Sequence, residues 1–159
     1  MPKLVTKTAW QPIRATDLRL TGAEPGTCER CGRRDLRFLH VVKHPNGGQL
    51  TVGCECAKRL CYGYDPERAE NRLRNLYARR SRWLTRNWAT SRKGNETLKF
   101  NHEGETVWVT IFADKRDPKL FCCSISVDGG KPFFPSGNFV SADVAKLAAF
   151  DQLAETCEW

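Results

Sequence analysis

The sequence has no run of 18 or more apolar residues, so it offers no stretch long enough to cross a membrane as a helix. Its first 20 residues contain no apolar core of the kind found in secretory signals, and we expect no such signal there. Internal repeats, heptad series and low-complexity tracts are also missing. These absences favour a cytoplasmic chain that folds as one domain or two small ones.

The common signatures of catalysis are missing as well. The sequence contains no glycine-rich phosphate loop, no G-x-S-x-G nucleophile motif and no pair of carboxylates at a defined spacing. It therefore favours a protein that binds a partner over an enzyme.

The charge that is present is unevenly distributed. The 159 residues carry 26 Lys and Arg against 18 Asp and Glu, a net charge of +8. Residues 1–56 contribute +4, residues 57–93 contribute +8 and residues 94–159 contribute −4. A basic centre joined to an acidic end indicates a local surface that binds a polyanion.

Eight cysteines in a chain of this kind are typical of metal ligands or free thiols rather than disulfides. The segment CERCG at 28–32 places two thiolates on one tight turn, and GCECA at 53–57 places two more at the start of a predicted helix. Zn²⁺ prefers four tetrahedral nitrogen or sulfur ligands, and a small unit with little core gains folding energy from it. We therefore predict one structural zinc ion, held by Cys28, Cys31 and Cys56. Its fourth ligand is Cys54 in the first place, with Cys61 and His40 as alternatives.

A cysteine turn, a hairpin and further ligands at a helix start resemble the treble-clef and zinc-ribbon group of small zinc-binding domains. The resemblance covers about residues 28–62 and depends on Cys28, Cys31, Gly53 and Cys56. It implies a structural class rather than one activity. The second pair is C-x-C where treble clefs usually have C-x-x-C, which leaves the fourth ligand open.

The segment from Leu39 to Pro45 is similar to the HNH nucleases, which also use a treble clef. That likeness implies His40 as a general base. The accompanying metal ligands are missing, because position 39 is Leu and no His lies between residues 45 and 101. A degenerate HNH-like nuclease is therefore only a minor alternative.

The predicted fold class is α+β. Strands at 36–43 and 49–52 flank the turn HPNGG and predict a hairpin, followed by a short helix at 55–61. Asp65-Pro66-Glu67 begins a long helix that we expect to reach about Thr90. Strands are predicted at 97–101, 105–113 and 120–127, and Ser141 is expected to cap a helix at 142–156.

These elements suggest four segments along the chain. We expect residues 1–27 to form a mostly irregular arm with room for one short strand. Residues 28–63 form the zinc-binding unit, 64–94 the long basic helix, and 95–159 an antiparallel sheet with a terminal helix. Apolar residues that we expect on the buried side of the terminal helix are Val144, Leu147, Phe150, Leu153 and Ala154.

The long helix has two faces. At 100° per residue, its apolar side chains, including Trp83 and Trp88, share an arc of about 140°, which favours core packing over base stacking for both tryptophans. Five arginines share a separate arc of about 80°. These are Arg68, Arg72, Arg79, Arg82 and Arg86.

Arginine binds phosphate with two parallel hydrogen bonds, so this face predicts a nucleic-acid-binding surface. A second basic patch surrounds the cysteine turn and contains Arg30, Arg33, Arg34 and Arg37. The sequence thus predicts a non-catalytic nucleic-acid-binding protein and leaves the type of polymer, DNA or RNA, open. The alternative is a protein-interaction module or inhibitor that engages a nucleic-acid-processing partner.

Overall fold

The structure is a computed structural model that describes residues 10–157. It divides the chain into two compact units, Met1–Tyr77 and Ala78–Trp159. The predicted α+β class is confirmed, with two antiparallel sheets and four helices in the described residues. None of the helices between residues 10 and 157 is long and apolar enough to cross a membrane.

The first unit contains a three-stranded antiparallel sheet in the order β1-β2-β3. Its strands are β1 (Gln11–Asp17), β2 (Phe38–Lys43) and β3 (Gln49–Val52). Strands β2 and β3 form the predicted hairpin, in which the N–H of His44 donates to the carbonyl of Gly48 at 2.7 Å. The amide oxygen of Asn46 accepts from the N–H of Gly48 at 3.2 Å and closes the turn.

The predicted N-terminal arm contains one short strand, for which the sequence left room, and a short helix that was not predicted. Its first nine residues lie outside the described residues, but the remainder contains β1, which pairs with β2, and the short helix α1 (Leu18–Thr21). The pairing is shifted between Pro12 and Arg14, and this bulge accommodates a proline that has no N–H to donate. At the end of β1, the buried carboxylate of Asp17 caps α1. It also accepts a bifurcated hydrogen bond from Arg37 Nε and a second hydrogen bond from Arg37 Nη2.

Helix α2 (Cys54–Leu60) follows β3 directly and closes the core of the first unit. Small apolar side chains from the cysteine turn, the hairpin and α2 form that core. They are Cys28, Val42, Val52, Cys56, Ala57 and Cys61. Larger, partly buried side chains pack against it, namely Trp10, Leu36, Leu50, Leu60 and Tyr64.

Helix α3 (Pro66–Trp83) begins as predicted, because the N–H of Arg68 donates to Asp65 Oδ1 at 3.0 Å. It is shorter than predicted and ends at Trp83 instead of near Thr90. The indole N–H of Trp88 donates to the carbonyl of Trp83 at 3.1 Å, so the chain satisfies the helix end by turning back. Ala89–Thr90 then forms strand β4, and the division between the two units falls inside α3.

The second unit contains a four-stranded antiparallel sheet in the order β4-β5-β6-β7. Strands β5 (Glu96–His102), β6 (Glu105–Ala113) and β7 (Phe121–Val127) correspond to the three predicted strands. Helix α4 (Ala142–Thr156) packs against β6 and β7, and Ser141 Oγ accepts from the N–H of Val144 as its predicted cap. The largest fully buried side chains of this unit are Trp83, Phe150, Ile111, Leu153, Val107 and Val109.

One predicted core position of α4 is wrong. Val144 is exposed, whereas Phe150 and Leu153 are buried together with Ala145 and Ala149. At 100° per residue, Val144 lies on the opposite side of the helix from the centre of this buried group. The apolar residues of α4 surround most of the helix, and the sheet covers only one side.

Candidate metal centre and arginine-lined cavity

Three cysteine thiols of the first unit lie together. The sulfur atoms of Cys28, Cys31 and Cys56 are all within 4.8 Å of one another. Cys28 and Cys56 are buried, whereas Cys31 is exposed. The cluster therefore has two ligands fixed by the core and one at the surface.

The local sequence explains how the cysteine turn forms. The N–H of Gly32 donates to the carbonyl of Cys28 at 2.9 Å, and the N–H of Cys28 donates to the carbonyl of Arg33 at 2.8 Å. Gly32 adopts a φ of 72°, a left-handed conformation that glycine accepts without strain. Cys56 arrives from the first turn of α2, whose N-cap is Gly53. The two halves of the motif thus meet at one point.

The electrostatic environment favours a thiolate at Cys28. Burial alone would raise the pKa of this thiol, but backbone N–H groups of Gly53, Cys31 and Arg30 and the side chain of Cys31 lower it from 9.0 to about 7. Burial raises the pKa of Cys56, and hydrogen bonds with the thiols of Cys31 and Cys28 raise it further. A divalent cation between the three sulfurs would relieve this competition for negative charge.

The three thiols fit a zinc ion. Zinc–sulfur bonds of about 2.3 Å place the sulfurs of one tetrahedral site about 3.8 Å apart, so the observed cluster needs only small side-chain adjustments. Thiolates are also the ligands that structural zinc sites use most. Three cysteines of the first unit can therefore bind a metal ion such as zinc.

The structure does not bring Cys54 into this cluster. Burial, the nearby charges of Glu70, Glu67 and Glu55, and an interaction with the Glu70 carboxylate raise the pKa of Cys54 to about 11. Cys54 nevertheless lines the same cavity of about 310 Å³ as the three clustered cysteines. Its role as the fourth ligand stays a prediction.

The two alternative fourth ligands are engaged elsewhere. The ring of His40 is fully buried, with Nδ1 at 2.9 Å from the hydroxyl of Tyr64 and Nε2 at 3.0 Å from Glu70 Oε1. Cys61 packs in the apolar core, and burial raises the pKa of its thiol. Both ring nitrogens of His40 therefore have partners within hydrogen-bond distance, and the ring has no exposed surface.

Sequence reasoning missed two residues that support the candidate metal centre. Glu29, inside the cysteine turn, donates its N–H to the carbonyl of Thr51 at 2.9 Å, and its carboxylate accepts the N–H of Thr51. This double contact attaches the turn to β3. Glu70 contacts His40 and Arg74, and its carboxylate helps to raise the pKa of Cys54. Its position on α3 did not indicate that it would contact His40, which lies 30 residues earlier in the chain.

The predicted arginines of the first unit are exposed, with one exception. Arg30, Arg33, Arg34, Arg68 and Arg72 are all exposed. None of these five side chains pairs with a carboxylate among residues 10–157. Arg37, by contrast, is bound to Asp17, with Nη2 at 2.7 Å from Oδ2, and cannot contribute free charge to the patch.

In the second unit, Arg79, Arg82 and Arg86 line one cavity of about 290 Å³. Three aromatic side chains also line this cavity, namely Trp83, Phe100 and Phe150. The interpretation of Trp83 as a core residue is confirmed, since only 2% of it is exposed. The guanidinium carbon of Arg86 lies 4.6 Å from the centre of the Phe100 ring and 5.4 Å from that of Trp83.

A scan against models of known families and searches of curated proteins and solved structures find no match to this chain. The cysteine cluster is compatible with a zinc-binding domain. No match identifies that domain as a treble clef or a zinc ribbon.

Proposed function

We propose that this protein binds nucleic acid through exposed arginines and that a structural zinc ion stabilises its first unit. One observation carries the nucleic-acid half of this proposal. The arginines of the predicted binding face lack acidic partners, whereas their neighbours on α3 have them.

The contrast is clear along α3. Arg74 lies 3.5 Å from Glu70 Oε2, and Arg80 makes two hydrogen bonds to Asp151 at 2.7 and 2.9 Å. Among residues 10–157, no carboxylate pairs with the arginines of the predicted face. Arg82 donates from Nε to the carbonyl of Ala78 at 3.3 Å, a contact that leaves its positive charge uncompensated.

An arginine side chain without a carboxylate partner is well suited to bind phosphate, because its guanidinium group can form two charge-assisted hydrogen bonds with phosphate oxygens. Phosphate contacts position a nucleic acid without reading its sequence. The exposed Arg30, Arg33 and Arg34 beside the cysteine turn supply further contacts of the same kind. The expected binding is therefore strong at low salt and weakly sequence-dependent.

In this proposal, Cys28, Cys31 and Cys56 hold the zinc ion and Cys54 is its fourth ligand. The ion would link the cysteine turn to α2, and its binding energy would become folding energy for the first unit. The role is structural, since four protein ligands leave no open position for a substrate.

The test measures binding and its salt dependence by fluorescence anisotropy. Single-stranded DNA, duplex DNA and RNA of equal length are titrated between about 50 and 200 mM salt. If all five arginines of the predicted face, of which Arg86 follows the end of α3, contact duplex phosphates, the slope of log K against log salt is about −4.5. Replacing Arg72, Arg79, Arg82 and Arg86 with Gln should reduce the magnitude of that slope by about 3.6.

A matched control removes the same charge elsewhere. Lys115, Arg116, Lys119 and Lys131 are exposed residues of the second unit outside α3, and replacing them with Gln should leave affinity nearly unchanged. An equal loss in both variants would mean that net charge, not the arginine face, drives binding. If the wild-type protein binds none of the three polymers at low salt, the protein-interaction module becomes the better explanation.

A further inference from the structure

We infer that the arginine-lined cavity of the second unit accepts one unpaired nucleotide of a single-stranded segment. Its phosphate contacts Arg79 and Arg82, and its base stacks on the Arg86–Phe100 pair. This inference rests on the proposed function and gives it a substrate class.

The cavity concentrates positive charge in a small space. Three arginines line about 290 Å³, and none of the lining residues is acidic. Arg79 and Arg82 are three positions apart on α3, a spacing at which helix side chains are neighbours. Two adjacent guanidinium groups can hold one phosphate from two directions.

The third arginine supplies a stacking surface. The guanidinium of Arg86 lies over the ring of Phe100 at 4.6 Å, and Arg86 as a whole is exposed. Guanidinium planes and aromatic rings are the surfaces on which proteins stack unpaired bases. A base bound here would add a third planar group to the stack formed by Arg86 and Phe100.

The aromatic side chains that line the cavity are held in place by contacts of Trp83. The indole N–H of Trp83 donates to the carbonyl of Lys146 at 2.7 Å. The ring of Trp83 meets those of Phe100 and Phe150 edge-on, with centroid distances of 5.7 and 5.3 Å. A surface that is ordered before binding loses little conformational entropy when a ligand arrives.

The rim offers a polar contact for the base or sugar. Asn101 lines the cavity, and its Oδ1 accepts from the hydroxyl of Thr106 at 3.2 Å. This arrangement leaves the Asn101 amide N–H groups as donors. In a duplex the base faces are covered by their neighbours, so only a strand with unpaired bases can use both the charge and the stacking surface.

The test separates stacking from charge. Wild-type protein is titrated with fluorescein-labelled oligothymidine of about 12 nucleotides and with a strand of equal length and charge that carries abasic sites throughout. We expect oligothymidine to bind about tenfold or more tightly than the abasic strand. Phe100→Leu should remove this difference and leave the affinity for the abasic strand unchanged.

Two further variants keep the test sharp if Phe100→Leu does not fold. Arg86→Lys retains the charge but loses the planar surface, so it should also bring the two strands towards equal affinity. Trp108→Leu removes another exposed aromatic ring of the same sheet, which lies 5.3 Å from Lys99 Nζ, and should leave the tenfold difference intact.

Each remaining outcome has a distinct meaning. Equal affinity of the wild-type protein for both strands would overturn this inference and leave the proposed function in place. Absence of binding to either strand at low salt would overturn both. Displacement of oligothymidine by an oligoglutamate peptide as effectively as by unlabelled oligothymidine would overturn the inference in favour of an acidic peptide partner.

Discussion

The two units of this chain have cores of different chemistry. In the first unit, three of the six core residues are cysteines and the others are Val42, Val52 and Ala57. The second unit buries large side chains, above all Trp83, Phe150 and Ile111. Because apolar burial stabilises in proportion to area, we expect the second unit to fold on packing alone. We expect the first, whose fully buried side chains are smaller, to depend on the proposed zinc ion.

The largest effect is expected from zinc removal, which tests the comparison directly. A chelator should expose the backbone amides of β2 and β3 to hydrogen exchange and leave those of β5, β6 and β7 protected. The reason is that zinc contributes on the order of 10 kcal/mol to the folding of small zinc domains. Hydrogen exchange is measured beside elemental analysis, which should find about one zinc per chain.

A pair of serine variants controls for the loss of a thiol. Cys28→Ser should lose zinc and behave like the chelated protein. Cys122→Ser alters a half-buried thiol of β7 in the second unit and should retain zinc. A metal-free protein with fully protected β2 and β3 amides would contradict the comparison.

The reverse perturbation removes the centre of the second core. Trp83→Ala should lower the free energy of unfolding of the second unit by about 3–5 kcal/mol, because it deletes a buried indole and leaves a cavity. Zinc content should not change, since the three clustered thiols and their core neighbours belong to the first unit. Chemical denaturation followed by hydrogen exchange measures both. Equal loss of protection in β2 and β3 would show that the two cores are not independent.

Replacing the proposed fourth ligand gives a smaller effect. Cys54→Ser should weaken zinc binding by more than about 100-fold, because changes of residues behind the ligands already cost about 10–100-fold. Competition with a chromophoric chelator measures the affinity, with Cys122→Ser as the reference. A zinc affinity equal to that of Cys122→Ser would mean that Cys54 is not the fourth zinc ligand.

Surface ion pairs should distinguish the units least. Asp151→Asn removes the partner of Arg80 in the second unit, and Glu67→Gln removes the partner of Lys58 in the first. Asp151→Asn should lower the free energy of unfolding by less than about 1 kcal/mol, and Glu67→Gln should change it less still, because the Lys58–Glu67 pair is the more exposed of the two. Denaturation at low and high salt measures the effect. A larger decrease in the free energy of unfolding at either site would show that the ion pair stabilises the fold more than a typical surface pair does.

Local patterns in the sequence predicted much of this fold. The HPNGG turn located the β2–β3 hairpin, Asp65-Pro66 located the start of α3, and Ser141 located the start of α4. Each signal acts over a few residues, because turns and caps are decided by adjacent backbone groups. Spacing of the cysteines likewise predicted that Cys28, Cys31 and Cys56 would meet.

Features that depend on distant partners could not be predicted. The sequence left room for one short strand in residues 1–27 but did not locate β1, which has no alternating pattern and forms because β2 offers it an edge. The bonds from His40 to Tyr64 and Glu70 span 24 and 30 residues, and that of Arg37 to Asp17 spans 20. Nothing local distinguishes a paired Arg37 from an exposed Arg34. The end of α3 was missed for the same reason, since Ala89–Thr90 pairs with β5 instead of extending the helix.

The bulge in β1 also affects whether two copies of the protein can associate through their sheet edges at high concentration. Within the described residues, β1 is an edge strand, and an open edge invites a second chain to extend the sheet. Pro12 has no N–H to donate, and the register shift before Arg14 interrupts the regular row of backbone groups. Exposed Ile13, which lies between them, is therefore displayed on a strand poorly suited to intermolecular pairing.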